Sequence, residues 1–142
     1  VAVGAGAFTI NVSGFWNVAL GALAMAKNVV GSRNVAVGHR ALTENITGHR
    51  NIALGSHTMQ ANTHGANNVA IGADALWFNQ TGSYNIALGL ASLAASVTGD
   101  ANIALGRAAG TCLNGSSYNI AIGDYALTNA VVLTLMFKTI GD

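Results

Sequence analysis

The chain has 142 residues, enough for one domain, with no Pro, one Cys and only 8% charged residues, against about 25% in ordinary globular domains. Its 51% apolar residues and 18 Gly exclude a disordered composition. The formal charge of +1, with Lys27, Arg33, Arg40, Arg50, Arg107 and Lys138 spread along the chain, leaves no basic stripe for a nucleic acid. Cys112 has no partner for an intrachain disulfide and reads as a small buried filler. The apolar run from Ala130 to Phe137 is far below the roughly 18 to 20 residues of a membrane-spanning helix. Gly recurs too often for the strands of about 9 to 11 residues in a transmembrane barrel.

In chain order, the first element is Val1-Ala2-Val3-Gly4. It returns with a leading Asn as Asn17-Val18-Ala19-Leu20-Gly21, and again from Asn34, Asn51, Asn68, Asn85, Asn102 and Asn119. Every step is 17 residues, giving eight copies. A fixed period without insertions is the signature of a stacked solenoid. The sequence opens inside a repeat with no initiator Met, basic leader or cleavage pattern, so it is expected to be a piece of something longer.

Within each copy two large branched residues flank an Ala, the alternation of a short strand. The Gly that follows, at Gly21, Gly38, Gly55, Gly72, Gly89, Gly106 and Gly123, is expected to bend the chain. A second short strand is expected around Ala24-Met25, Ala41-Leu42, Thr58-Met59, Ala75-Leu76, Ser92-Leu93 and Ala126-Leu127, with the large residues stacked in an internal column. Gly110 breaks that column and leaves a local gap, and Leu113 follows three residues later. A turn comes next, with Asn28, Asn45, Asn62 and Asn79 at one register and Gly14, Gly31, Gly48, Gly65, Gly82 and Gly99 just after. The strand-opening Asn residues suit either a ladder of amides along the stack or ordinary turn capping.

The expected fold class is therefore all-β, a parallel β-roll of eight 17-residue coils with two short strands each. At a spacing of about 4.8 Å per coil it is about 38 Å long. A helical array is disfavoured, since two Gly per repeat cost each helix about 1 kcal/mol apiece. The β-roll occupies residues 1–130, with coils starting near 1, 17, 34, 51, 68, 85, 102 and 119. Residues 131–142 lose the pattern and read as a C-terminal strand that either caps the last coil or links to another domain. The Ala face, flat and apolar on a charge-poor chain, is expected to be buried against identical partners.

The phrase Asn-Ile-Ala-Leu-Gly, followed by Ala-Leu and by Thr81-Gly82-Ser83-Tyr84-Asn85, resembles the repeats of bacteriophage tail fibre and tail spike proteins. It is similar also to the β-roll heads of trimeric autotransporter adhesins, whose units look like Asn-Ser-Val-Ala-Ile-Gly. The resemblance covers positions 1 to about 130. It implies a left-handed roll and a homotrimer, with Val18, Leu20, Ile52, Leu54, Ile86 and Leu88 inside the roll and Ala19, Ala53 and Ala87 toward the subunit interface. Here Asn is followed directly by Val or Ile and the period never slips, which favours the phage version. The implied function is a structural domain of a trimeric fibre or spike in the virion tail. It extends or attaches the fibre beside other fibre or tail domains and contributes to recognition of a host surface glycan or protein. The alternative is an adhesive head on a bacterial cell surface.

No catalytic constellation, metal site or cofactor is expected, and neither nucleic acid nor membrane insertion enters the reading. The acidic residues are Glu44, Asp74, Asp100, Asp124 and Asp142. Asp74 and Asp124 lie three coils apart, about 14 Å along the stack, too far for paired carboxylate chemistry. His39 and His57 are expected within about 6 Å of each other on adjacent coils, with His49 and His64 on the opposite turn. An axial ion bound by three symmetry copies is the minor alternative to a simple exposed pair. Asn11, Asn45, Asn79 and Asn114 match the glycosylation pattern, but the turn register explains them. Candidate surface contacts are Trp77, Phe78, Tyr84, Tyr118 and Tyr125, with Trp16 at a similar turn. Recurring Thr positions are interrupted by Val30, His64 and Val132, against an ice-binding array.

Overall fold

Each Asn-x-Ala-x-Gly phrase forms one very short strand that pairs in parallel with its copy 17 residues away. The computed structural model describes residues 1–128. Its strands are β1 (Ala2–Val3), β2 (Val18–Leu20), β3 (Val35–Val37), β4 (Ile52–Leu54), β5 (Val69–Ile71), β6 (Ile86–Leu88), β7 (Ile103–Leu105) and β8 (Ile120–Ile122). They make one eight-stranded sheet in sequence order, a parallel β-solenoid. Register is strict: Val18 faces Val35, Ala19 faces Ala36 and Leu20 faces Val37, and the same offset recurs to Leu105 and Ile122. Because the repeat is uniform, a one-residue slip would turn every side chain to the wrong face. The strand expected from residue 131 onward lies outside the described residues.

The second expected strand is absent among the described residues: the Ala-Leu segment is a run of turns. Its backbone alternates in handedness, with φ of 57° at Leu23 and 49° at Met25, then 56° at Arg40 and 54° at Leu42. For residues with a Cβ such a conformation costs roughly 1 to 2 kcal/mol each. Hydrogen bonds to both neighbouring coils offset it: the Leu23 N–H donates to the Ala5 carbonyl at 2.9 Å and the Met25 N–H to the Ala41 carbonyl at 2.9 Å. Every second N–H thus reaches a neighbouring coil, while the Ala24 N–H between them donates to the Gly21 carbonyl of its own coil at 3.2 Å, and the wall is tied along the stack as the sheet is by its ladder.

The interior reverses the expected orientation of the strand. Ala19, Ala36, Ala53, Ala70, Ala87 and Ala104 are completely buried, while Val18, Leu20, Ile52, Leu54, Ile86 and Leu88 point outward and are half-buried or exposed. The reason is volume. One coil already encloses a large side chain from the column Met25, Leu42, Met59, Leu76 and Leu93, together with two Asn side chains, all of them buried. Only a methyl group fits opposite them, so the Ala face turns inward.

Two buried Asn columns hold the coils in phase. Asn34 donates its backbone N–H to Asn17 Oδ1 at 2.9 Å and its side-chain amide to the Gly48 carbonyl at 2.8 Å. The same main-chain bond recurs up to Asn119 on Asn102. In the second column the amides bond each other directly: Asn45 Nδ2 to Asn28 Oδ1 at 2.6 Å, Asn62 to Asn45 at 3.0 Å and Asn79 to Asn62 at 2.8 Å. Both columns thus combine the ladder and the turn cap. Gly48 is needed where this column turns, since a Cβ there would run into the Gly65 carbonyl of the next coil and the Asn45 amide.

Candidate interaction surface

Sixteen branched aliphatic residues, the flanking positions of the eight strands, stand in two parallel rows on the outside of the sheet. Along one row Ile52, Ile86 and Ile120 keep 39%, 37% and 40% of their surface exposed, and along the other Val3, Ile71 and Ile122 keep 60%, 42% and 67%. No charged side chain interrupts either row. The strict register makes the face a regular array, each coil presenting the same pair of side chains as the coil beneath it. Contiguous apolar surface of this kind marks an interaction site on a soluble protein.

The columns beside the sheet are more varied. Just before each strand stand Trp16, Arg33, Arg50, Asn67, Tyr84, Ala101 and Tyr118, all left-handed, with φ between 53° and 62°. Trp16, Tyr84 and Tyr118 are strongly exposed, and the Arg33 guanidinium lies 4.7 Å over the Trp16 ring. Phe15 meets Trp16 edge to face at 4.9 Å. Tyr84 and Tyr118 share this column two coils apart. Tyr125 is exposed on the other side of the strand, with the Arg107 guanidinium 4.8 Å over its ring. Trp77 and Phe78 stack on each other at 4.5 Å, Phe78 exposed and Trp77 half-buried. The five candidate contact residues therefore fall into three groups: the stacked Trp77 and Phe78, the column of Tyr84 and Tyr118, and Tyr125 on the other side of the strand.

Charges pair along the stack, one coil to the next. Lys27 Nζ reaches both Glu44 oxygens, at 3.0 and 2.7 Å, and Arg107 makes a two-pronged contact with Asp124, at 3.0 and 2.6 Å. The Asp124 hydrogen bond, then its charge, raises the Arg107 pKa above its ordinary value. Asp74 faces His57, whose Nδ1 is 3.5 Å from its carboxylate, so Asp74 and Asp124 have different partners. Asp100 accepts the Ser83 N–H at 2.7 Å. The rings of His39, exposed, and His57, half-buried, meet edge to face at 5.2 Å, whereas His49 and His64 are exposed elsewhere. Among the described residues no group of three or more His, Cys, Asp or Glu side chains is placed to hold a metal ion.

Two smaller expectations change. Cys112 is exposed, not a buried filler, because its position lies outside the core, at the register that elsewhere carries Lys27, Glu44 and Phe78. Of the four glycosylation-like asparagines, Asn45 and Asn79 are fully buried in the amide ladder, while Asn11 and Asn114 are exposed. The outward apolar rows were not identified from sequence, because alternation of Val, Ile or Leu with Ala marks two faces without saying which one a narrow coil can enclose. Scanned against protein-family models, curated proteins and solved structures, the chain matches none of them.

Proposed function

We propose that this chain is a structural segment of a homotrimeric fibre, of the kind found in phage tail fibres and spikes, in which three solenoids bury their Val/Ile/Leu sheet faces around a common long axis. The observation that carries the reading is the unbroken double row of outward aliphatic side chains from β1 to β8. A rotation axis parallel to the stack gives every coil the same contact in every copy, so the repeat in sequence becomes a repeat in the interface. Each half-buried Val, Ile or Leu gains up to about 1 to 2 kcal/mol when the rest of its surface leaves water. Uniform coils suit a spacer that extends or attaches a fibre, because length is added without changing the contact.

The exposed Trp16, Tyr84 and Tyr118 column supports a second reading, an adhesive head that meets a host glycan or protein through its turn residues. Light scattering combined with small-angle scattering separates the assembly question from the contact question. A mass three times the 14.3 kDa chain in a rod-shaped particle supports the fibre, and a stable monomer at micromolar concentration refutes it. Binding of the trimer to host cells or a glycan array, lost on Tyr84→Ala with Tyr118→Ala, would move the conclusion from spacer to adhesive head.

A further inference from the structure

The second Asn column stops at Ser96, and the atoms around that stop form a polar site. From Asn28 onward one amide group does two jobs: Asn62 Nδ2 donates to Asn45 Oδ1 and to the Gly65 carbonyl, both at 3.0 Å, and Asn79 Nδ2 donates to Asn62 Oδ1 at 2.8 Å and to the Gly82 carbonyl at 2.9 Å. At the next coil the residue is Ser96, too short to reach. Asn79 Oδ1 and Ser96 Oγ are both buried and neither has a hydrogen-bond partner. The Gly99 carbonyl accepts from Asn85 Nδ2 at 2.8 Å, but lacks the second donor that Gly82 has from Asn68 and Asn79. Asn79 Oδ1 and the Gly99 carbonyl crowd the same point beside Gly82, so one small group can serve both.

We propose that Ser96, Asn79 and Gly99 bind a single internal water that stands in for the missing carboxamide nitrogen. The water donates one hydrogen to Asn79 Oδ1 and the other to the Gly99 carbonyl, and it accepts the Ser96 hydroxyl hydrogen. That arrangement satisfies all three groups and matches the two to four bonds typical of buried water. Room for it comes from the difference between Ser and Asn. A metal cation does not suit the site, which offers two amide-type carbonyl oxygens and a hydroxyl but no carboxylate, short of the oxygen shell of six or more that Ca²⁺ takes. Leu113, at the same register one coil on, is almost fully buried and apolar, so the column of polar side chains ends here. Ser96 plus water thus carries the column's hydrogen-bonding pattern up to the coil where Leu113 takes over.

The test is a crystal structure of the protein and of Ser96→Asn at a resolution that shows ordered water, paired with oxygen-17 relaxation dispersion in solution. The native protein is expected to show one water within hydrogen-bond distance of all three groups, and the variant to put its amide nitrogen there, with one fewer long-lived water in solution. Ser96→Asn restores the residue of five earlier coils, and its melting temperature is expected to rise. A direct Ser96 to Asn79 hydrogen bond in the native crystal, or equal numbers of long-lived waters in the two proteins, would overturn the proposal.

Discussion

Leu113 fills the space that Gly110 leaves open: its Cδ1 stands 3.1 Å from where a Gly110 Cβ would be, beside Leu93 Cδ2 at 2.8 Å. Gly110 holds the register of the core column, which carries Leu76, Leu93 and Leu127, and Leu113 holds the register of Asn45, Asn62 and Asn79. The seventh coil has exchanged a Leu-and-Asn pair for Gly and Leu. One large apolar side chain still enters the core, from three residues further along the chain.

The two positions should be strongly coupled. Gly110→Leu alone crowds Leu113 and is expected to cost about 1 to 3 kcal/mol. Leu113→Asn alone opens a cavity at Gly110 and costs about 2 to 5 kcal/mol. The double variant restores the regular coil, and left-handed Leu is already tolerated at this register, as Leu93 with φ 50° shows. It should recover most of the summed loss in urea denaturation. Additive effects would refute the exchange.

Inside and outside of the strand can be told apart with one charge at adjacent residues. Ala87 is fully buried and Ile86 is 37% exposed. Ala87→Asp should prevent folding, since an unpaired charge enters a core without a counter-ion. Ile86→Asp should keep the circular dichroism of the native chain while lowering the solution mass to that of a monomer. If Ile86→Asp unfolds the chain and Ala87→Asp only dissociates it, the orientation described above is inverted.

Breaking the amide ladder should be costly only where it is buried. Asn62→Ala leaves Asn45 Oδ1 without its donor, and an orphaned buried acceptor costs about 1 to 3 kcal/mol. Asn114→Ala removes only a long, exposed contact of 3.4 Å to the Val97 N–H, and it should stay within about 0.5 kcal/mol of the native protein. Equilibrium unfolding of the two variants reads the difference directly.

Two glycines separate close approach from backbone freedom. At Gly48 a methyl group meets the Asn62 amide at 2.7 Å as well as the backbone of the next coil, whereas at Gly115, with φ 74°, the nearest atom is Thr98 Oγ1 at 3.6 Å. Gly115→Ala should cost about 1 to 2 kcal/mol from conformation alone. Gly48→Ala should cost clearly more, about 3 kcal/mol or above, because neither a carbonyl nor a laddered amide can step aside. Melting temperatures that fall equally would contradict this.

The surface ion pairs should matter little. Lys27 is exposed and Glu44 only half-buried, so Lys27→Ala is expected to change stability by under about 1 kcal/mol, and less in high salt. The raised pKa of Arg107 means that any contribution from its pair with Asp124 is complete from neutral pH up to the ordinary arginine range and is lost only in stronger alkali. Stability at neutral to mildly alkaline pH should therefore show no titration from this pair.

The sequence by itself determined the period, the parallel stacking and the register, because identical phrases 17 residues apart can align all their apolar and Asn positions in only one way. It also marked Gly21 and Gly48 as places where the chain turns. The tertiary structure alone decided which side of the strand is inside. Alternation distinguishes two faces without naming either, and the choice follows from the volume left in a coil that already holds a Leu or Met and two Asn side chains. It decided too that the second segment is not a strand. Leu23, Arg40, His57 and Tyr125 share no propensity for φ above zero, and they adopt it because the carbonyls of the neighbouring coils stand ready to accept their N–H groups.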